Sequence, residues 1–296
     1  MTETVDVIRR FNRSYTQRVG VLSDSFLGVG LPLAAARLVF EIGVQPSATR
    51  ELRERLGLDS GYLSRLLRIL EDKGLVVVRP SPADRRVKLI ELTRAGVKLW
   101  RNLDERSNAQ AKLLTDPLSP RQRERLTAAL YTADRLVRAA TVRIDHVDPD
   151  AAIARQAMAR YFAELDRRFE HGFDPGDAST EDARELRAPH GCFLVAVSDG
   201  QTVACGGVRR LTDGVAEIKR MWVDEDWRGL GLGSRMLNTL EQRARELRHR
   251  IVRLDTNATL TEAIALYERA GYRAIGRYND NPHAERWFEK PLGSAG

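Results

Sequence analysis

Cysteine is scarce in this chain of 296 residues, with Cys192 and Cys205 the only two. A pair of thiols excludes a disulfide-stapled scaffold and points to a reducing compartment. Both stand in apolar runs and are expected in a core. Long apolar stretches are also missing. The best, Val29 to Val39, is interrupted by Pro32 and Arg37 and falls short of the ~18 apolar residues that a membrane helix needs. The opening MTETVDVIRRFNR has no apolar segment behind a basic one, so a cytoplasmic protein without membrane attachment is expected. Histidine is sparse and scattered, five residues without metal-ligand spacing, and no metal site is expected. Lysine is rare as well: of 48 basic residues, 42 are Arg and 6 are Lys. A GC-rich genome alone can produce that skew, so arginine richness is not by itself a sign of nucleic acid.

What is present is enough apolar and charged residue to build cores, 43% and 30% of the chain, at a length that suits two domains. The charge is unevenly spread. Residues 1–140 carry 25 Lys+Arg against 16 Asp+Glu, and the remainder 23 against 25. A basic half joined to a slightly acidic one suggests that only the first half meets a polyanion.

The first half reads as helices with a β interlude. Val19 to Phe26 and Leu33 to Ile42 have helical apolar spacing, and Thr49 to Leu56 reads as a short helix. Asp59 or Ser60 caps a further helix whose Leu63, Leu66, Leu67 and Leu70 form one stripe, ended by Gly74. Strands follow at 76–78 and 87–92 around the turn-rich RPSPADRR. Long helices from about Ala95 to Leu114 and from Ser119 to about Val142 complete this half. In the second half TVRIDHV reads as a short strand and Ala151 to Phe169 as an amphipathic helix. A helix near Thr180 to Leu186 precedes the strands CFLVAVS, TVACGGVRRL and VAEIKRMWV, with turns at Asp199-Gly200 and Asp213-Gly214. A helix to about Leu247, the strand IVRLDT, a helix from Leu260 to Ala270 and the strands YRAIGRY and RWFEK close the chain. The domain boundary is placed after residue 141, giving domains 1–141 and 142–296.

The capped helix after a short helix and tight turn has the layout of a helix-turn-helix, and the strand pair adds a wing. Its exposed face would carry Ser60, Tyr62, Ser64, Arg65 and Arg68, and the wing tip Asp84, Arg85 and Arg86. Hydroxyls and arginines suit phosphate contacts, and arginine suits a bidentate contact to guanine. Spacing alone leaves a helical bundle with a solvated charged face as an equal reading. The segment LSRLLRILEDKGLV followed by PADRRVKLIELTRAG resembles the MarR family of winged-helix regulators, over about residues 5–142. That resemblance implies a homodimer formed through the first and last helices of this half, binding double-stranded DNA at a roughly palindromic operator. It also implies that Asp84 orients Arg86 and that Arg65 and Arg68 face the groove.

In the second half the strand VAEIKRMWV runs into RGLGLGSR, in which Arg228, Gly231 and Gly233 fit R-x-x-G-x-G/A. Glycines let a backbone approach a pyrophosphate closely, and amides at a helix start form an anion site. Alone, the run also fits another nucleotide loop or a plain tight turn. Together EIKRMWVDEDWRGLGLGSRMLNTLE and LDTNATLTEAIALYERAGY resemble the GNAT superfamily of acetyl-CoA-dependent N-acetyltransferases, over about residues 142–292. The expected fold is therefore multidomain: a mainly α winged helix-turn-helix domain followed by an α+β domain with a mixed, splayed sheet. The resemblance implies acetyl-CoA as cofactor and a small amine as acceptor. Backbone of Met221, Trp222 and Val223 would hold the pantetheine arm. Arg228, Gly229, Leu230, Gly231, Leu232, Gly233 and Ser234 would hold the pyrophosphate, and Tyr267 would protonate the leaving thiolate. Relatives place Asn seven residues before that Tyr. Here Leu260 stands there, and the nearby Asn257 is the substitute assigned to the cofactor. Glu217 is the candidate base, with pairing to Lys219 or Arg253 an equal alternative. The whole reads as a bifunctional regulator and acetyltransferase, or as a transcription factor whose second domain only senses acetyl-CoA or a metabolite.

Overall fold

The computed structural model describes residues 3–21, 25–43, 46–82, 84–170, 172–174, 184–198 and 200–293. The chain divides into two compact units, Met1–Thr127 and Ala128–Gly296. The division falls inside one helix, α6 (Pro120–Thr141).

The first unit begins with α1 (Glu3–Arg18), which buries none of its residues. The helix expected over Val19 to Phe26 falls partly on residues 22–24, which lie outside the description; on the described residues a turn follows α1 and Phe26–Gly28 is a single 3-10 turn. Gly20, Gly28 and Gly30, all at positive φ, break the helical period there. Next come α2 (Leu33–Ile42), β1 (Ser47–Ala48), α3 (Thr49–Leu56) and α4 (Ser60–Asp72). The Asp59 carboxylate accepts the Tyr62 amide at 2.9 Å and starts α4, and Gly74 at φ +64° follows its end. Strands β2 (Val76–Pro80) and β3 (Lys88–Leu92) form an antiparallel wing with Val78 opposite Ile90, and β1 pairs on the far side of β3. The long helices α5 (Arg94–Thr115) and α6 (Pro120–Thr141) follow. Thr93 caps α5 through the Gly96 amide. Ser119 and Gln122 exchange side-chain and amide bonds in a capping box at the start of α6. The core gathers the apolar faces of α2 and α4 (Leu38, Val39, Leu63, Leu66, Leu70) with Ile90 and Leu103.

The second unit is built on a seven-stranded sheet in the order β4-β5-β6-β7-β8-β10-β9. Its strands are β4 (Arg143–Val147), β5 (Cys192–Ser198), β6 (Gln201–Thr212), β7 (Val215–Val223), β8 (Ile251–Thr256), β9 (Arg273–Ile275) and β10 (Arg286–Pro291). All neighbours are antiparallel except β7 and β8. The strand expected over YRAIGRY is cut to three residues. Side chains alternate across the sheet as the pleat requires. Cys192, Leu194 and Ala196 pack with α8 (Leu232–Glu246) and α9 (Thr261–Arg269). Phe193, Val195, Cys205 and Trp222 pack on the other side against α7 (Ala152–Arg168). Both cysteines are thus buried, as expected. The helix expected near Thr180 to Leu186 falls mostly on residues outside the description, as does Asp199 of the first hairpin.

Two irregularities open the site. Between Cys205–Trp222 and Gly207–Lys219, β7 uses one residue more than β6, and Arg220 takes up the bulge at φ +56°. Gly206 lies opposite; a Cβ there would stand 2.7 Å from Leu240 Cδ1. The parallel pairing of β7 with β8 stops at Glu217–Arg253. Beyond it the two strands splay apart.

Candidate functional site

Two cavities lie along the splay. The first, about 330 Å³, is lined by Met221, Trp222, Val223, Arg228, Gly229, Gly231, Gly233 and Ser234, and by Arg168 and Arg269. Gly231 caps α8 in the left-handed conformation (φ +81°), and Gly229 is also left-handed. A Cβ on either glycine meets no heavy atom within 4 Å. They therefore border open space, not packed protein. The first amides of α8, at Leu232, Gly233 and Ser234, have no intrahelical acceptor and add the positive end of the helix dipole. Left-handed glycines, free amides and arginines make a cradle that fits a diphosphate. Leu232 itself contributes backbone only, since its side chain is fully buried in the core, and Leu230 is not among the lining residues.

The second cavity, about 430 Å³, shares Tyr161, Leu165, Met221, Leu260, Ala263 and Tyr267 with the first, so the two meet there. Phe169, Phe173 and His283 form an aromatic wall, with ring centroids of Phe173 and His283 4.8 Å apart. The lining also includes Arg209, Lys219, Asp255, Asn279 and Asn281. Tyr267 is 6% exposed, packed against Tyr272 and Phe288. Burial, and then the charges of Tyr161 and Asp255, raise its pKa above that of an ordinary phenol. Tyr161 is pushed up to about 12, again chiefly by burial.

The geometry bears on two further expectations. Glu217 is fully buried and does not line either cavity. One of its oxygens accepts Arg209 Nε at 2.6 Å; the other accepts Tyr278 Oη at 2.7 Å and Asn279 Nδ2 at 3.1 Å. With both oxygens engaged by Arg209, Tyr278 and Asn279 and no place on either cavity wall, it is badly placed to act as a base. Its main partner is Arg209, the residue opposite on β6; Lys219 is 3.6 Å away, and Arg253 pairs with Glu289 instead. Asn257 lines the second cavity, not the first, and its amide is consumed locally. Nδ2 donates to His283 O at 3.0 Å, while Oδ1 accepts both the amide and the hydroxyl of Thr259.

Sequence reasoning missed Glu164, Arg168, Arg209, Asp255 and Asn279. Glu164 is a charged residue on an amphipathic helix, a pattern that ordinarily marks a solvated face. It is instead buried, 7% exposed, and accepts Trp222 Nε1 at 2.6 Å.

In the first unit, Ser60, Ser64, Arg65 and Arg68 are exposed on α4, opposite the buried leucine stripe. Tyr62 is half-buried, with the Arg65 guanidinium 5.6 Å from its ring centre. At the wing tip Asp84 accepts the Arg86 amide at 3.0 Å and its Nε and Nη2 at 3.2 Å. The Arg86 side-chain bonds, with the amide second, lower the Asp84 pKa. The Arg86 side chain remains 92% exposed. On α1, Val5, Val7, Ile8, Phe11 and Tyr15 stand exposed, Phe11 and Tyr15 stacked at 5.4 Å. Among the described residues no cluster suits a metal ion, and no helix is long and apolar enough to cross a membrane.

A mixed sheet that splays beside a glycine cradle at a helix start defines an acyl-transfer type of domain. The profile of the Acetyltransferase (GNAT) family matches residues 158–272, and that of the MarR family matches residues 29–87. The IAA acetyltransferase of Azospirillum brasilense is 32% identical over 153 residues, spanning 49% of this chain and 99% of that protein. The N-alpha-acetyltransferase RimI of Mycobacterium tuberculosis is 32% identical over 124 residues, spanning 41% of this chain and 76% of its own. An N-acetyltransferase of Escherichia coli, YjgM, is 30% identical over 129 residues, 42% of this chain and 75% of that protein. The chain belongs to the GNAT acetyltransferase family and carries a MarR-family region ahead of that domain. It is an acetyl-CoA-dependent N-acetyltransferase.

Proposed function

We propose that residues 142–296 transfer acetyl from acetyl-CoA directly to a small amine, and that residues 1–141 bind DNA as a homodimer and regulate transcription in the cytoplasm. The transfer reading is carried by the junction of two cavities at Met221 and Tyr267, one ending in a glycine cradle and the other open to an acceptor. Amides from Arg228 to Ser234 would hold the pyrophosphate, and the unpaired edge of β7 at Met221, Trp222 and Val223 the pantetheine arm. Acetyl-CoA supplies an activated acetyl carbonyl and a thiolate leaving group. Tyr267 donates a proton to that thiolate, and its raised pKa keeps the proton in place at neutral pH. The amine proton leaves to solvent through the second cavity, which Asp255 lines. Glu217 serves as a buried anchor for Arg209 and Asn279. Asn257 has no role toward the cofactor in this scheme.

The DNA reading is supported by the exposed Ser60, Ser64, Arg65 and Arg68 of α4, with Tyr62 beside Arg65, and by the Asp84-held Arg86 on the wing. The uncovered apolar face of α1 supports a dimer, since a 16-residue helix with nothing buried gains its stability from a partner. Two recognition helices related by a two-fold axis would read a roughly palindromic site, with half-sites about one helical turn apart. The test is thiol release across an amine panel beside selection of duplexes from a random pool. CoA binding without turnover of any amine would reduce the second domain to a sensor. No duplex preferred over random DNA would leave the first as a dimerisation module.

A further inference from the structure

Behind the glycine cradle lies a network of buried charge. Glu164 projects from α7 with its side chain 9% exposed. One carboxylate oxygen accepts the indole Nε1 of Trp222 at 2.6 Å. The other accepts Arg228 Nη2 and, at 3.4 Å, Arg168 Nη1. Arg228 is bound twice, because its Nε also donates to Val223 O at 3.0 Å. Arg168 goes on to Glu262 Oε2 at 2.8 Å and Thr259 O at 3.3 Å, at the start of α9. One carboxylate thus ties the end of β7 and the first residue of the glycine loop to helix α7, and Arg168 at the end of that helix holds the α9 entrance.

We propose that Glu164 is a positioning residue for the pyrophosphate loop: it fixes Arg228, and through it the backbone of residues 228–234, in an anion-ready shape before the nucleotide arrives. The assignment rests on the reading above that this loop holds the pyrophosphate of acetyl-CoA. Its physical basis is the loop itself. Gly229 and Gly231 are left-handed and border open space, so neighbouring side chains do little to hold them. A loop that free loses conformational entropy when it closes on a ligand, and an anchor at its first residue lowers that loss. The carboxylate adds a negative charge beside the cradle, yet it is paired with the Arg228 guanidinium, 30% exposed, and shares Arg168, 26% exposed, with Glu262. Trp222 fixes the carboxylate's other oxygen, so the aim of the anchor is set on both sides.

The experiment is calorimetry of the full chain with CoA and with pantetheine, which lacks the pyrophosphate. Variants are Glu164→Gln, Arg228→Lys and the double substitution. An amide at 164 can still accept the Trp222 bond but no longer carries the charge that holds Arg228. Glu164→Gln is expected to weaken CoA about tenfold, the order of one charge-assisted hydrogen bond, with pantetheine unchanged. In turnover, KM for acetyl-CoA should rise while kcat stays within about twofold, the signature of lost uniform binding. The double variant should be little worse than the poorer single one, since both remove the same contact. Glu164→Asp keeps the charge and shortens the reach. It should show the same CoA-selective loss, and it serves if the Gln variant does not fold. Equal weakening of CoA and pantetheine would mark a general packing role and overturn the assignment, as would unchanged CoA affinity or additive single effects. Wild-type protein binding CoA no tighter than pantetheine would instead overturn the loop reading, and this assignment with it.

Discussion

Replacing Tyr267 by Phe isolates one atom. The ring keeps its packing, with centroids 5.9 Å from Tyr272 and 6.0 Å from Phe288. Among the described residues no protein group is found bonded to the hydroxyl, and the ring lines both cavities. Its removal therefore breaks no internal hydrogen bond, and the stability change should stay below about 1 kcal/mol. The catalytic effect should be much larger. Positioned general acids contribute ~10²–10⁴ in rate, or about 3–5 kcal/mol of barrier, and that is the expected loss of turnover. Affinity for CoA should be unchanged. The assays are thiol release with a chromogenic disulfide, calorimetry with CoA, and a thermal melt. A pre-steady-state measurement would establish that chemistry limits the wild-type rate. The pH dependence adds a second check. Burial, followed by the Tyr161 and Asp255 charges, raises the Tyr267 pKa, so the phenol stays protonated past pH 10 and should impose no basic limb on kcat below that. Turnover within threefold of wild type, under conditions where chemistry is limiting, would refute the acid role. A basic limb near pH 8 that disappears with the hydroxyl would instead refute the raised pKa, while leaving the acid role standing.

Gly231→Glu should weaken CoA at least about tenfold by placing a carboxylate where the diphosphate would lie. Gly231→Ala should cost only the left-handed strain, ~1 kcal/mol in a chemical melt, because its Cβ meets nothing within 4 Å; equal affinities for the two variants would count against the cradle. Arg86→Ala should leave the melting temperature unchanged, since the side chain is 92% exposed, but lower DNA affinity and reduce the slope of log K against log salt by about 0.9. An unchanged slope in a polarisation titration would remove Arg86 from the phosphate contacts. The phenols of Tyr161, Tyr267, Tyr272 and Tyr278 all have raised pKa values, for which desolvation is the first cause. Below pH 10 both folded and unfolded states keep these protons; above it the unfolded state releases them first, so stability should fall from pH 10 upward. Tyr161→Phe should flatten that fall between pH 10 and about 12, as measured by melts across the alkaline range.

Much of the molecule was legible in its residues because local periodicity encodes local structure. The leucines at 63, 66, 67 and 70 repeat at helical spacing, and they are buried on α4 behind the Asp59 cap. Runs such as CFLVAVS could be read as a strand, and the pleat sends alternate residues to opposite cores. The glycines at 229 and 231 marked a tight loop, and both take the positive φ for which chirality leaves few other residues. Tertiary structure decided whatever depends on register between distant segments. Glu217 is matched to Arg209 because β6 and β7 pair in that register, whereas the sequence offered only its near neighbour Lys219 or the distant Arg253. Asn257 has the right residue type near the right place, but its amide is satisfied by Thr259 and by His283. Glu164 has no motif of its own; it becomes part of the cofactor site only because the sheet carries Trp222 and Arg228, about sixty residues later in the chain, up to helix α7. Side-chain spacing along a segment follows from the dihedral angles of that segment alone, while a contact between segments exists only once every intervening turn has brought the chain back.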